Sequence, residues 1–387
     1  MERYLYTDLE KWSDSNDRRP LVLFGARQVG KTWLLNELGS RKYKRTAFIS
    51  FDRNDAAIKL IESEKTAEKL LRGLSALTGV DIVPKETLII LDEIQECPVA
   101  LTRLKVFAED APEYHIVASG SLLGIALHEG ISYPVGKVDE MYLYPMTFGE
   151  FLLANNKEKM QELIAESNWD ILNALSDEYI DQLRQYYYVG GMPAAVQAYV
   201  DTNDLNVVEE KQKEILDLYK WDISQYDPNK KLEINDIFNL IPSELDAKNK
   251  RFILKNLNEH ARFSRYENSF LWLKNAGVAI PTLNIQEPTF SFKLNELRNL
   301  FKLFQNDVGL LTSQYASGIQ LQLLQGEVKQ NYGAIYENLV AQELYCHGFG
   351  GDEHELHYFN SKKQGELDFV IAQHGKVIPI EVKSGKD

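Results

Sequence analysis

A chain of 387 residues, 44% apolar and 26% charged, has the material for about two to four domains with buried cores. No apolar run approaches the ~20 residues of a membrane span, and the start Met1-Glu2-Arg3-Tyr4 lacks the apolar core of a signal peptide, so a cytoplasmic protein is expected. Cys97 and Cys346 stand far apart with no Cys-x-x-Cys spacing, which fits a reducing compartment and offers no zinc site; the net charge of −14 excludes wholesale wrapping in nucleic acid but not a local basic face.

The first element with chemical content follows the strand-like run Leu21-Val22-Leu23-Phe24. There Gly25-Ala26-Arg27-Gln28-Val29-Gly30-Lys31-Thr32 opens a helix-like run that begins at Trp33. This is the pattern of a phosphate-binding loop: backbone N–H groups curl round a phosphate at a helix N-terminus, Lys31 reaches the β and γ phosphates, and the Thr32 hydroxyl ligates Mg²⁺. Residues 25 to 33 are the expected nucleotide-binding set. Ala47 to Asp52 reads as another strand and 54–78 as helices. Thr87 to Leu91 is a continuous apolar run, as in a strand covered on both faces, and it ends in Asp92-Glu93. Here Asp92 is expected to hold Mg²⁺ and Glu93 to polarise the attacking water. The run His115 to Ala118 leads into Ser119-Gly120-Ser121, which reads either as a nucleotide-sensing strand end or as a turn capping the next helix. Strands alternating with helices give a parallel α/β sheet with its ligand at the strand C-termini. No Asn-Lys-x-Asp tetrad occurs, so ATP is the expected nucleotide.

Residues 150–235 are helical in pattern, and their aromatics, Tyr186-Tyr187-Tyr188 and Trp221 among them, read as core. Over 236–315, helical patterns at Phe252 to Arg262 and Tyr266 to Ala276 precede strand-like runs at Val278 to Asn284 and Thr289 to Lys293, the order of a winged helix. Its stretch Asp246 to Arg265 carries an excess of four positive charges through Lys248, Lys250, Arg251, Lys255, Arg262 and Arg265. That is either a phosphate-contacting face or the solvated face of a protein-binding module.

Near the C-terminus, His374-Gly375 is a two-residue hairpin signal between Glu366–Ala372 and Val377–Lys383. Centring the turn there sets Asp368 opposite Glu381. Asp368, Glu381 and Lys383 then share one face, and Phe369, Ile371, Ile378, Ile380 and Val382 the other. Two facing carboxylates and a lysine suit a Mg²⁺ site with a water-activating base, the two-strand core of nucleases of the PD-(D/E)XK type; an ion-paired hairpin surface is the other reading. His347, His354 and His357 lie in a Gly-rich acidic loop without compatible partners, and no metal is assigned to them.

The phosphate-binding loop, Leu91-Asp92-Glu93-Ile94-Gln95, Ser119-Gly120-Ser121, Leu143-Tyr144-Pro145-Met146-Thr147-Phe148-Gly149-Glu150-Phe151 and Gly190-Gly191-Met192-Pro193 together resemble a large prokaryotic family of AAA-type ATPases with a C-terminal half of undefined function. The resemblance covers essentially the whole chain. It implies an ATPase core over 1–148, a helical lid over 149–235, a winged helix over 236–325 and a nuclease-like α/β domain over 326–387. The chain stops at Asp387, where that fold usually continues with a helix, so either the chain is truncated or the module is incomplete, and both weaken the expectation of an active nuclease. It also implies that Ser119 or Ser121 contacts the γ-phosphate or the lytic water, and that a lid or a neighbouring subunit supplies an arginine, for which Arg184 is a candidate. Glu337 and Glu343 lie roughly 240° apart round one helix, and the nuclease fold's first-helix glutamate corresponds to Glu337.

The expected function is that of an ATP- and Mg²⁺-dependent ATPase acting as a conformational switch. DNA, a protein or a second copy of the chain is its expected partner, and no membrane is expected. Two other readings are an ATP-gated nuclease using the C-terminal hairpin and a weakly hydrolysing nucleotide-binding scaffold.

Overall fold

Leu21–Phe24 forms strand β1, buried along its whole length, as an unbroken apolar run between helical layers should be. In this computed structural model, which describes residues 1–121, 134–226, 230–289, 291–315, 318–326, 333–350 and 355–383, the contacts divide the chain into two units. One spans Glu2–Tyr144; the other spans Pro145–Asp387 and takes in Met1.

In the first unit β1 is joined by β2 (Arg45–Ser50), β3 (Thr87–Asp92), β4 (His115–Gly120) and β5 (Asp139–Tyr142), all parallel, in the order β2-β3-β4-β1-β5. Parallel neighbours need crossovers. The helices Lys31–Lys42, Asp55–Ser63, Ala67–Thr78 and Val99–Asp110 supply them, and pack Leu70, Leu74, Leu104 and Phe107 against Ile49, Ile89, Leu91 and Ile116 of the sheet. Because β4 lies between β1 and β3, the segments that leave these three strands emerge side by side at one end of the sheet.

The second unit begins with helices Phe148–Ala154, Glu158–Ala165, Trp169–Ala174, Ser176–Val189, Pro193–Thr202, Leu205–Tyr226 and Lys231–Asp246. Tyr186, Tyr187 and Tyr188 are core, as their helical spacing suggests, whereas Trp221 is half exposed. A mixed sheet follows, made of β6 (Ala279–Ile285), β7 (Glu296–Gln305), β8 (Leu356–Ser361), β9 (Gly365–Gln373) and β10 (Lys376–Ile380) in the order β10-β9-β8-β6-β7. The helix Gly333–Cys346 lies in sequence between β7 and β8.

Two expectations for 236–325 meet a different structure. Phe252 to Arg262 holds only a single 3-10 turn, Leu254–Asn256. Its backbone groups bond elsewhere: Ile253 N–H donates to Glu244 Oε2 at 2.7 Å, and Phe252 N–H donates to the Phe301 carbonyl of β7 at 3.0 Å. The second strand begins at Glu296, not Thr289. More consequentially, a wing would leave the outer edge of its hairpin to solvent. Here β6 pairs on that edge with β8, in parallel, from Thr282↔Leu356 to Ile285↔Phe359. The boundary drawn at 325/326 therefore runs through one continuous sheet. No helix among the described residues is long and apolar enough to cross a membrane.

Candidate nucleotide-binding site

The loop after β1 is built round two backbone constraints. A Cβ on Gly25 would stand 2.2 Å from the Leu143 carbonyl oxygen, so glycine is needed where the segment after β5 passes over the loop. Leu143 N–H in turn donates to the Phe24 carbonyl at 2.7 Å. Gly30, at φ 94°, then turns the chain into the helix Lys31–Lys42, whose first N–H groups have no partner within the helix and so suit an anion. Lys31 is buried, and its ammonium donates to the Gly25 and Ala26 carbonyls at 2.9 Å each. Ala26 and Val29 are buried beneath the loop, Arg27 and Gln28 lie along it with Gln28 at φ 69°, and Trp33 is half exposed one residue past Thr32.

Asp92 is the meeting point. It ends β3 almost fully buried, and Thr32 Oγ1 donates to its two oxygens at 2.9 and 3.2 Å. Ser119, fully buried at the end of β4, donates to the same carboxylate. Thr32 and Asp92 thus offer a hydroxyl and a carboxylate on one side of the loop, the hard oxygen donors Mg²⁺ prefers, and the residues fit that ion. Bound there, Mg²⁺ would neutralise phosphate charge. Glu93, next in sequence, is held at φ 55°, a conformation costing a non-glycine residue about 1 kcal/mol or more. The Gln95 side-chain amide donates to Glu93 Oε2. Gln95 has its place because residue 120 is glycine: a Cβ there would meet Gln95 Oε1 at 2.8 Å. Of the two serines considered as sensors, Ser119 is turned onto Asp92, and Ser121 stands half-buried just past the strand end.

The motifs at 145–151 and 190–193 are joined by polar bonds inside the second unit. Thr147 and Glu150 form a capping box at the start of Phe148–Ala154. Met146 N–H donates to the Gly191 carbonyl at 2.6 Å, and Tyr186 Oη donates to the Met146 carbonyl. Gly191 N–H donates to buried Asp307, which also accepts from Leu310 N–H at 2.9 Å. A Cβ on Gly191 would lie 2.0 Å from the Met146 carbonyl oxygen. Gln342 donates to Tyr186 Oη at 2.8 Å, and Glu343 accepts from Phe148 N–H at 2.8 Å. Burial pushes the Asp307 carboxyl up to about 6 and that of Glu343 up to about 7, against the opposing pull of these backbone donors. Arg184 lies on the helix Ser176–Val189, where it pairs with Asp181 at 2.9 Å.

In the C-terminal sheet, His374 and Gly375 take positive φ values of 48° and 74°, and the β9–β10 register runs from Gln373↔Lys376 to Phe369↔Ile380. Asp368 and Glu381 are the residues that adjoin the last pair of this register. Asp368 is buried and accepts the Val382 N–H at 2.8 Å, while Glu381 is exposed and pairs with Lys383 at 2.9 Å. Burial along β9 is continuous from Asp368 to Ile371 instead of alternating, the pattern of a strand covered on both faces over that stretch. Glu337 is buried on the helix Gly333–Cys346, and its two oxygens are taken by Lys250 and Lys302. Burial raises the Glu337 carboxyl, and the two ammonium groups pull it back. Lys302, on β7, was not singled out by its sequence context. Among the described residues no group of three or more His, Cys, Asp and Glu side chains is arranged to hold a metal. His347 bonds to the Glu343 carbonyl and His357 to Glu296; His354 lies outside the described residues.

Comparison with known proteins agrees with the first unit. Residues 17–152 match an AAA domain family, and 180–322 and 332–387 match two domain families of unknown function. An uncharacterised protein of Methanocaldococcus jannaschii is 23% identical over 98% of this chain and 78% of its own length. Among solved structures, ORC1 of Aeropyrum pernix in complex with DNA is similar at TM-score 0.31 and 13% identity, covering 84% of this chain and 95% of that one. AMPPCP-bound DnaA of Aquifex aeolicus is similar at TM-score 0.30 and 14% identity, covering 70% and 87%. The match to the AAA domain family falls on the part of the chain that carries the phosphate-binding loop, Asp92 and Ser119.

Proposed function

We propose that this protein is an ATP-binding, Mg²⁺-dependent ATPase that works as a nucleotide-driven conformational switch. The observation that carries the reading is the convergence of Thr32 and Ser119 on Asp92 beside the loop that holds Lys31. In this reading the loop N–H groups and Lys31 hold the β and γ phosphates, and Thr32 and Asp92 hold the ion. Glu93 orients the attacking water, with Gln95 fixing its carboxylate. Ser119 positions Asp92, which leaves Ser121 as the strand-end group free to reach the nucleotide.

A route from the site to the rest of the chain is covalent. Leu143, packed over Gly25, is two residues before Pro145, where the second unit begins. A shift of the loop on exchange of ATP for ADP would displace this connection, as γ-phosphate contacts order and release switch segments in other nucleotide-driven proteins.

DNA is the partner we favour. Of the six basic residues at 248–265, Lys250 turns inward to Glu337, whereas Lys248, Lys255, Arg262 and Arg265 are exposed. Glu93→Gln is expected to retain ATP and lose turnover by about 100-fold or more; unchanged turnover would refute Glu93 as the base. Lys255→Glu combined with Arg262→Glu is expected to weaken retention on duplex DNA and flatten its salt dependence. Equal retention of both forms across a salt series would remove DNA from the account.

A further inference from the structure

The PD-(D/E)XK pattern at the C-terminus implies a divalent metal, yet the side chains present do not fit one. Lys302 is wholly enclosed, and its ammonium lies 3.2 Å from Glu337 Oε2, 3.2 Å from Glu366 Oε1 and 3.8 Å from Asp368 Oδ1. The face of the Tyr358 ring lies 5.1 Å away on another side. The other Glu337 oxygen is bound by Lys250, and Asp368 Oδ2 is taken by Val382 N–H. A small hard cation requires several oxygens at about 2.0–2.6 Å. Here the point on which Glu337, Glu366 and Asp368 converge already holds a positive charge, fixed to a strand whose Lys302 pairs with Thr282 of β6. Glu381 and Lys383, the other half of the pattern, pair with each other at the exposed end of the hairpin.

We propose that Lys302 takes the place of a divalent cation in this carboxylate cluster, making it a metal-free ion-pair core and not a metal-dependent hydrolytic centre. Glu337 and Asp368 are buried and Glu366 is partly exposed, and held together without a cation the three carboxylates would repel one another, most strongly the buried pair. An ammonium supplied by the chain itself removes that repulsion and needs no ion from solution. A lysine cannot do the rest of a metal's work, because it neither binds a hydroxide nor offers open coordination positions to a phosphate. In this carboxylate cluster the group that would activate water in a nuclease of that pattern is replaced by the lysine. This inference is independent of the ATPase reading, since none of its residues belongs to the nucleotide site.

The test uses the full chain without nucleotide and Mn²⁺ as the probe, with binding followed by electron paramagnetic resonance. Wild type and Asp368→Asn are expected to give the same Mn²⁺ isotherm. Lys302→Ala is expected to gain one further Mn²⁺ per chain and a Mn²⁺-dependent rise in Tm, both lost in the double variant with Asp368→Asn. A wild-type Mn²⁺ site that disappears in Asp368→Asn would overturn the proposal. So would metal-dependent nicking of supercoiled DNA that is lost in the same variant, or a folded Lys302→Ala that gains no site. If Lys302→Ala does not fold, the comparison of wild type with Asp368→Asn still decides the question.

Discussion

Asp92 and Glu93 are neighbours in sequence with opposite surroundings. Asp92 is buried and accepts from Thr32 and Ser119, whereas Glu93 sits in a left-handed conformation with its carboxylate held by Gln95. If Gln95 fixes the direction of the Glu93 carboxylate, Gln95→Ala should lower kcat by about 10-fold, some 1.4 kcal/mol, with the affinity for ATP unchanged. Steady-state turnover together with equilibrium ATP binding checks this, and an unaltered kcat would show that Gln95 merely packs. The loop and the Asp92-Glu93 pair were legible in the sequence, because binding a phosphate through backbone N–H groups demands glycine, lysine and a hydroxyl at fixed spacing. Which of Ser119 and Ser121 bonds to Asp92 was not legible, since the two point to the same face of the strand and the β3–β4 register, which sets Leu91 beside Ala118, decides it. Lys302 was hidden for a similar reason: within Phe301-Lys302-Leu303-Phe304 a lysine resembles the solvent side of an alternating strand, yet it faces three carboxylates.

At the scale of elements, the turn at His374-Gly375 and the register from Gln373↔Lys376 to Phe369↔Ile380 were readable, because a two-residue turn with positive φ at both positions fixes the register of both strands. The sheet it joins was not readable. The β6–β8 pairing links segments about 75 residues apart, and local periodicity carries no information on such a partner. Gly190-Gly191-Met192-Pro193 and the segment at 145–151 looked like turn punctuation, and their real constraint is the buried network through Asp307, Gln342 and Glu343. That network has a pH signature. Asp307 is raised from 3.8 to about 6 and Glu343 from 4.5 to about 7, so each carboxyl holds its proton more firmly in the folded state than in the unfolded one. The stability this contributes is complete below the unfolded values and is lost as pH rises through the folded ones, a window of about pH 4 to 7. For Asp307 the change is on the order of 3 kcal/mol. Asp307→Asn cannot titrate and should flatten that part of the profile, while leaving Gly191 N–H short of an acceptor at a cost of about 1–3 kcal/mol. Denaturant midpoints of both proteins from pH 4 to 8 measure the difference, and parallel profiles would contradict the assignment.

On the scale of the whole molecule, the contacts define two units, with the connection between them immediately after the Leu143 that covers Gly25. The core was expected to end at 148, and the contacts divide the chain at 144/145, after the last strand of the parallel sheet and before the capping box at Thr147. The further division at 325/326 separated a winged helix from a nuclease-like domain, whereas β6 and β7 before it share one sheet with β8, β9 and β10 after it. The account as a whole stands on the claim that nucleotide state at the loop is felt in the second unit. Hydrogen exchange of the full-length Glu93→Gln chain, measured with ATP and Mg²⁺, with ADP and Mg²⁺, and without nucleotide, tests it most directly. The account predicts protection of the amides at 25–33 in both nucleotide states, and a difference between ATP and ADP at 145–151 and 190–193. Protection confined to the loop, with the second unit exchanging identically in all three states, would contradict it.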